Sequence, residues 1–312
     1  MMNEYKLIRL SENRLTDLQI IYKDAFKKEI SLHELQLLFE TSFTGKKFIG
    51  YIAYSPDGFP AAYYGVFPCF VESNGKRHLC AQSGVTMTHS AHRGKGLFTK
   101  TALATYDLAK QEGIECVFGF PNEFSYPGFV KKLAWQHNEN IQKYEFNIFT
   151  IPVAAAVNKF SLFQKSYQSF FKNILPNLQS FDTPFFSSVA TEHRSVIYRD
   201  SDFMKYKSQT GSNIISVFGK KVWLKANSFL FIGDVEKTDS QNFTLIFKKL
   251  QQIARLSGCK KMIFQTSPNT WLDHELKKFK APEEGLAIGY LPLSEKIDGS
   301  SLSFVGADFD TF

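Results

Sequence analysis

The stretch from Gln82 to Leu108 constrains the fold most, because it reads as a strand joined to a helix by a basic, glycine-bearing turn. β-branched residues open it, and apolar residues at helical spacing close it. Within the turn, A-H-R-G-K-G, Gly94 and Gly96 bracket a lysine. Such glycines let backbone N–H groups converge beside the positive end of a helix dipole, and Arg93 and Lys95 add full charges. The turn is predicted to bind an anion; glycine needed only for a positive φ is the alternative.

The order of residues in this turn resembles the R-x-x-G-x-G/A motif of the GNAT acyl-coenzyme A (CoA) N-acyltransferases. Phe98 stands where that motif has Gly or Ala, and H-R-G-K-G-L-F is closer to the H-R-x-x-G-[LI]-[LF] variant of the Eis-like enzymes. The resemblance implies that loop amides hold the CoA pyrophosphate and that acetyl-CoA or another acyl-CoA is the donor substrate. The residues it assigns to this site are Val85, Met87, His92, Arg93, Gly94, Lys95, Gly96, Leu97, Phe98 and Asn122.

The resemblance also implies the catalytic groups. The strand from Leu79 to Thr88 would pair with the pantetheine arm, and the amide near Met87 would receive the thioester carbonyl oxygen. The tyrosine that protonates the departing thiolate in many GNAT enzymes falls at Val130 here, so Tyr126, one helical turn earlier, or Ser125 is the candidate replacement. No Cys or Ser lies beside a plausible base in the sequence, and we expect direct transfer without an acyl-enzyme.

A base near the attacking amine would keep that amine neutral. The candidates are Glu123, His89, Asp310 and the carboxylate of Phe312. The last two belong to the tail D-F-D-T-F, and a solvated tail is the default for a chain end. Phe309 and Phe312 favour burial instead. Eis-like enzymes use a terminal carboxylate as the base, so the resemblance implies an active-site tail, in which Asp308 or Asp310 could also meet the amine.

Two copies of one plan are predicted, because A-K-Q-E-G ending at Gly113 recurs as A-R-L-S-G ending at Gly258. The second copy has E-K-T-D-S-Q-N in place of the glycine turn and is expected to be degenerate, shaping or closing the acceptor site. Between the copies, Asn158 to Leu178 is expected to be a docking helix, with a membrane-surface helix as the alternative. The fold class is α/β (α+β), with tandem GNAT-like domains that each have a mixed, largely antiparallel sheet flanked by helices. The predicted segments are the catalytic domain 1–152, the connecting helical segment 153–185 and the degenerate domain 186–312.

Local patterns predict several elements of the first copy. Apolar residues at helical spacing predict a helix over Leu15 to Phe26. Ser31 and Glu34 have the spacing of a capping box. S-N-G within Glu72 to Gly75 predicts a hairpin turn.

Composition and spacing exclude several classes of protein. No run of about eighteen apolar residues occurs and the first residues lack a signal peptide's apolar segment, so a cytoplasmic protein without an integral membrane segment is expected. The four cysteines lack C-x-x-C spacing and the seven histidines lack metal-ligand spacing, so we expect reduced core thiols and no metal. No nucleic-acid-binding signature accompanies the net charge of +7, which favours small anionic partners.

The acceptor is expected to be a small-molecule amine. The segment P-N-E-F-S-Y-P-G-F-V-K-K-L and the tail resemble GNAT enzymes of surface-polysaccharide synthesis, which N-acylate a nucleotide-linked amino sugar. An anionic acceptor suits a basic protein better than a cationic aminoglycoside does. An aminoglycoside or peptide-amine acetyltransferase and a CoA-binding sensor without catalysis stay open as alternatives, as does the oligomeric state, a homo-oligomer included.

Overall fold

The computed structural model describes residues 5–157, 161–209 and 211–312. The chain divides into two units, each with its own core. The first takes the chain up to Asn138 together with Ala287–Ser301, and the second takes Glu139–Leu286 together with Leu302–Phe312. Each unit thus draws on two separate stretches of the chain.

Both units contain helices and strands, with three consecutive strands before the helix that leads to the parallel partner strand. Within the described residues the helices are α1 (Leu15–Phe26), α2 (Leu32–Leu38), α3 (Leu97–Gln111), α4 (Tyr126–Leu133), α5 (Val153–Val157), α6 (Ser161–Ile174), α7 (Ser201–Ser208), α8 (Ser240–Leu256) and α9 (Trp271–Lys277). The strands are β1 (Lys6–Arg9), β2 (Ile49–Tyr54), β3 (Pro60–Ser73), β4 (Lys76–Thr88), β5 (Cys116–Gly119), β6 (Gln136–Asn147), β7 (Leu178–Gln179), β8 (Val196–Ile197), β9 (Asn213–Val217), β10 (Lys220–Ala226), β11 (Leu230–Val235), β12 (Lys261–Thr266) and β13 (Glu283–Pro292).

The sheet of the first unit is mixed and largely antiparallel, as predicted. Its strand order is β1-β2-β3-β4-β5-β13. Strands β1 to β4 pair antiparallel, β4 pairs parallel with β5, and residues 289–292 of β13 pair antiparallel with β5. The parallel pair requires a crossover connection, which α3 supplies.

Local sequence explains the helix starts and turns of this unit. Helix α1 covers the predicted residues, and the predicted capping box forms: the Glu34 amide donates to Ser31 Oγ and the Ser31 amide donates to the Glu34 carboxylate. The β3–β4 hairpin turns at Asn74 and Gly75, both with positive φ, which is the backbone that an Asn-Gly turn adopts readily.

Two apolar layers cover the two faces of the first sheet. One layer joins α3 and α4 to the sheet through Tyr64, Tyr106 and Trp135. The other joins α1 and α2 to it through Leu18, Leu35 and other residues. The face that carries α3 is also the face on which the basic turn ends.

The second unit repeats the order of hairpin, helix and strand. Its strands run β6-β12-β11-β10-β9-β7, with β11 and β12 parallel and α8 between them in the chain. Helix α8 buries Phe243, Phe247 and Leu250. Part of the predicted docking helix, residues 158–160, lies outside the described residues; the rest includes α6, which packs through the buried Tyr167 and Phe171.

Candidate functional site

The basic turn forms an exposed loop that ends on an uncapped helix. Gly94 and Gly96 have φ of 75° and 72°, which L side chains rarely adopt. Gly96 is the N-cap of α3 and, having no side chain, makes no cap hydrogen bond to the first-turn amides. These amides lie at the positive end of a helix of 15 residues. Arg93 and Lys95 lie exposed beside them, so the loop can hold an anion.

Side chains from distant parts of the first unit fix this loop. Tyr5 Oη lies 2.7 Å from His92 Nδ1, and Lys95 Nζ donates to Tyr5 Oη at 3.0 Å. The amide and the hydroxyl of Ser90 both donate to the carboxylate of Asp24 on α1. The loop is thus positioned before any ligand arrives.

The same contacts shift two pKa values. The hydrogen bond from Lys27, followed by that from the Ser90 amide, holds the pKa of the Asp24 carboxyl well below its usual range. Burial, followed by the charge of Lys95, lowers the pKa of His92. His92 is therefore neutral at physiological pH, and the full positive charges of the loop belong to Arg93 and Lys95.

A β-bulge interrupts β4 shortly before the loop. Between the pairs Tyr63–Met87 and Gly65–Gly84, one residue of β3 faces two residues of β4. Val85 lies in the bulge with a φ of 52°, which is strained for a β-branched residue. Strained backbone of this kind persists where the surrounding structure holds it, and here it redirects the following amides.

The bulge determines which backbone amides of β4 point away from β3. The His89 amide donates to the Ala61 carbonyl oxygen at 2.9 Å. Because hydrogen-bonded and non-hydrogen-bonded pairs alternate along an antiparallel ladder, the amide of Met87 also faces β3. The amide of Thr88 faces the opposite side, whereas Thr86 lies in the bulge, where this alternation does not hold. The candidate amide for the thioester oxygen is therefore that of Thr88, the neighbour of Met87, and the sequence carries no signal for it.

Strands β4 and β5 part beside this segment. Their parallel pairing joins Cys80–Gln82 to Cys116–Phe118 and goes no further along the described strands. The four residues that follow on β4, Ser83 to Thr86, are only half-buried. The amide of Thr88 thus lies on the side of β4 that pairs with no described strand beyond Gln82, which leaves room for an extended ligand.

The side chains of two predicted CoA-binding residues, Leu97 and Phe98, pack against other residues of the first unit. Leu97 is 2% exposed and packs with small residues of β2 and β3. The Phe98 ring lies 5.3 Å from the Phe129 ring, centroid to centroid. A Cβ at Gly128 would come within 3.2 Å of Phe98, so the glycine makes room for the ring between α3 and α4. The side chain of Leu97 is therefore unavailable to a ligand, whereas the half-buried Phe98 keeps part of its surface exposed.

Helix α4 begins at Tyr126, so this residue lies one turn from Val130 on the same face, as predicted. Its ring is half-buried and meets His137 edge-on at 5.7 Å. The amide of Ser125 donates to Asn122 Oδ1 at 3.0 Å, and its hydroxyl also contacts Asn122. Asn122 and Ser125 therefore build the turn before α4.

The predicted bases of the first unit differ in availability. Glu123 is exposed. His89 Nδ1 accepts a hydrogen bond from the Ala91 amide at 3.3 Å. An imidazole that accepts at Nδ1 carries its proton on Nε2 when neutral, so His89 has no basic nitrogen to offer in this arrangement.

The tail is buried in the second unit, so the default expectation of a solvated tail is wrong. Phe312 is 0% exposed, and its ring lies 5.5 Å from Trp223 and 5.4 Å from Phe231, centroid to centroid. Gly233 makes room for it, because a Cβ there would lie 2.4 Å from the ring. Lys225 Nζ lies 3.5 Å from an oxygen of the terminal carboxylate.

Charged groups hold the tail from the other side. Arg199 is buried and donates to Asp308 at 2.7 Å and to Asp234 at 2.6 Å. Asp308 is thus committed to an ion pair and is excluded as a base. Burial raises the pKa of Asp310 and lowers that of Lys207 to about 8, and Lys207 Nζ donates to the Phe309 carbonyl oxygen.

Neither a metal site nor a membrane span is apparent in the part of the chain that the structure describes. No three His, Cys, Asp or Glu side chains there come together as metal ligands. None of the helices found there is both long and apolar enough to cross a membrane. The four cysteines are buried and free, as expected for core thiols.

Comparison with known proteins agrees with this geometry. Residues 6–137, which contain the loop, match the family model of the acetyltransferase (GNAT) domain. No curated protein matches the chain. Among solved structures, a GCN5-related N-acetyltransferase from Kribbella flavida is 12% identical over 92% of this chain and 71% of its own, with a TM-score of 0.60.

Two further structures share the fold. A probable N-acyltransferase from Enterococcus faecalis is 15% identical over 93% of this chain and 73% of its own, with a TM-score of 0.57. The N-myristoyltransferase of Saccharomyces cerevisiae, solved with bound myristoyl-CoA, is 8% identical over 93% and 82%, with a TM-score of 0.58. These likenesses concern the fold, and the family match covers the loop itself. Residues 6–137 of the chain are therefore similar to the acetyltransferase (GNAT) domain.

Proposed function

We propose that the protein is an N-acyltransferase that moves an acyl group from acyl-CoA to a primary amine. One observation carries the proposal: the exposed Arg93–Gly96 loop, with two left-handed glycines, leads into the uncapped N-terminus of α3. A pyrophosphate suits such a site, since backbone amides, the helix dipole and two cations all favour negative charge there. The match of this region to the GNAT domain supports the assignment.

The adjoining strand supports the chemistry of transfer. The amide of Thr88 faces away from β3 and suits the thioester carbonyl oxygen or the pantetheine arm. An amide aimed at that oxygen would stabilise the charge that develops as the amine attacks. The C–S bond then breaks and its electron pair remains on the sulfur. Tyr126, on α4, is our candidate donor to that sulfur.

The base is proposed from two remaining candidates. Glu123 is exposed on the turn before α4, so its carboxylate is accessible both to water and to an incoming amine. Burial raises the pKa of Asp310, which makes its carboxylate a stronger base than an exposed one. Replacing each with its amide, Glu123→Gln and Asp310→Asn, should identify the base: loss of turnover with unchanged acetyl-CoA binding marks it. If neither variant lowers turnover, the Phe312 carboxylate is the remaining proposal from the tail.

We further propose a nucleotide-linked amino sugar as the acceptor, in a cytoplasmic enzyme of the tandem, Eis-like type. The net charge of +7 favours an anionic acceptor over a cationic aminoglycoside. The repeated order of hairpin, helix and strand in the second unit supports the tandem arrangement.

The test is a screen of nucleotide amino sugars, aminoglycosides and peptide amines against acetyl-CoA and longer acyl-CoA donors. Product mass identifies the acceptor, and thiol release measures the rate. Transfer to a nucleotide amino sugar alone supports the full proposal. Acyl-CoA binding without transfer to any amine would indicate a sensor instead, an outcome that the valine at position 130 favours.

A further inference from the structure

Six exposed apolar side chains of the second unit belong to three neighbouring stretches of the chain, namely the segment after β6, helix α6 and the end of α8. They are Phe149, Ile151, Val153, Phe163, Phe170 and Leu256. Phe149 is 95% exposed, Ile151 77% and Leu256 63%, so most of each side chain is open to solvent. One exposed apolar residue needs no explanation, but a group of them marks a surface that contacts another molecule.

Hydrogen bonds hold the three stretches together. Thr150 Oγ1 donates to the Arg255 carbonyl oxygen at 2.8 Å, which joins the segment after β6 to the end of α8. Tyr167 Oη of α6 donates to the Ser257 carbonyl oxygen at 2.9 Å, and its ring lies 6.4 Å from that of Phe170, centroid to centroid. The exposed apolar residues beside these contacts therefore lie close together, and we call the six of them the α6 surface.

Helix α6 has a wider apolar face than its own unit covers. Tyr167 and Phe171 are buried against the unit. Phe163 and Phe170 lie seven residues apart, close to two helical turns, so they share a face that borders the buried one. Both rings are about half exposed. A helix that served only to pack on its own unit would have polar residues at these two positions.

The same stretches carry positive charge and no acidic residue. The sequence has no Asp or Glu between Glu145 and Asp182, nor between Asp239 and Asp273. The exposed cations of these stretches are Lys165, Lys172, Arg255 and Lys260. Charges act over about 10 Å at ordinary ionic strength, so these cations favour an anionic partner without touching every part of it. The partner therefore offers both apolar contact and negative charge.

We propose that the α6 surface binds the surface of an anionic phospholipid membrane. The apolar side chains enter the boundary between headgroups and acyl chains, and the cations lie near the lipid phosphates. A protein partner would also cover apolar side chains, but stretches with cations and no acidic residue suit a uniformly negative surface better. The α6 surface shares no residue with the proposed CoA site, so either proposal can fail without the other.

Flotation of the full chain with lipid vesicles tests this site. Wild-type protein should bind vesicles of phosphatidylcholine mixed with phosphatidylglycerol at least about tenfold more tightly than vesicles of phosphatidylcholine alone, since several cations lie near the lipid. Phe149→Ala combined with Leu256→Ala should weaken binding to the mixed vesicles about tenfold or more, because two inserted side chains are lost. Arg255→Gln combined with Lys260→Gln should weaken it about tenfold and reduce its dependence on salt.

Phe186→Ala is the matched control, because Phe186 is 83% exposed in the same unit but lies in a stretch that carries Asp182 and Glu192. It should bind the mixed vesicles like wild type. Thermal unfolding of each variant separates lost binding from lost folding. The proposal is wrong if wild-type protein does not bind the mixed vesicles, or if the folded Phe149→Ala, Leu256→Ala variant binds them equally well. A wild-type dimer that this variant separates, without vesicle binding, would assign the surface to a second copy of the chain instead.

Discussion

The parallel strand pairs of the two units share an architecture and differ in what occupies the space beside them. In the first unit β4 and β5 are joined through α3, and in the second β11 and β12 are joined through α8. In both units the first strand of the pair also carries a register shift against its hairpin partner. The comparison therefore shows which local features leave space for a ligand beside β4 and β5 and not beside β11 and β12.

The first difference lies at the helix N-terminus. Helix α8 is capped by Asp239, whose carboxylate accepts from the Asn242 amide at 2.9 Å. Helix α3 begins at Gly96 without such a cap. A carboxylate at the N-cap uses the amides and the dipole that an external anion would need. The N-cap of α8 thus accepts a hydrogen bond from the helix's own first turn, whereas the amides of α3 remain for a ligand.

The second difference is that the chain fills the space beside β11 and β12. Val305 forms a β-bridge with Thr266 of β12, and the Ser267 amide donates to the Phe304 carbonyl oxygen at 2.8 Å. Phe312 packs onto Gly233 of β11. The tail therefore takes the place beside the second strand pair that a ligand would need, and we expect one CoA site in each chain.

The largest expected effect is on the tail. Phe312→Ala should lower the free energy of unfolding by about 3–5 kcal/mol, because a fully buried ring is replaced by a cavity against Gly233. Denaturant unfolding measures the loss. Phe149→Ala is the control, since Phe149 is 95% exposed and its loss should cost little. CoA affinity of the folded Phe312→Ala variant should match wild type, and a large loss of affinity would contradict the division of roles between the units.

The buried Lys207, which contacts the tail, gives a second test of the packing in the second unit. Its pKa is lowered to about 8 by burial, so between about pH 8 and 10.5 the unfolded chain binds more protons than the folded chain. The free energy of unfolding should therefore rise with pH across this window, by up to about 3 kcal/mol. Lys207→Met should remove this rise relative to wild type. Lys205→Met, at an exposed position of the same helix, should retain it.

Substitutions in the Arg93–Gly96 loop test the proposed CoA site of the first unit. Arg93→Ala combined with Gly96→Val should raise the CoA dissociation constant about 100-fold or more, because a cation is lost and valine disfavours a φ of 72°. Calorimetry measures the constant and the stoichiometry. Asp239→Ala, which uncaps α8 instead, should cost about 1 kcal/mol of stability and leave CoA binding at one per chain. Unchanged affinity in the loop variant would remove the assignment of the site.

The sequence predicts several elements of the first unit well, because local signals specify them. The helical spacing over Leu15–Phe26, the capping box at Ser31 and the Asn-Gly turn at Gly75 all act within a few residues, and all three form. The basic loop is also predicted from its own residues. Such features depend on backbone geometry that neighbouring residues largely determine.

Other features depend on contacts between residues far apart in the chain. The bulge at Val85 changes which amides face outward, and a valine gives no sign of a left-handed residue. The hydrogen bonds that connect Trp135, Tyr106, Tyr64 and Ser83 join α3, β3, β4 and the turn after α4, and no spacing in the sequence links these residues. The tail's burial needs Gly233, whose role is visible only once Phe312 lies against it. Tertiary packing decides each of these.

The smallest expected effect concerns how the open loop is held. Asp24 binds Ser90 and carries a lowered pKa, so this contact is present at neutral pH and is lost only as pH falls through the lowered value. Asp24→Asn should raise the CoA dissociation constant roughly two- to tenfold at neutral pH, since the loop must be ordered on binding. Asp107→Asn, at an exposed position of α3, is the control. If both variants bind CoA like wild type, the contact between Asp24 and Ser90 does not help to order the loop. The glycines alone would then account for the shape of the loop.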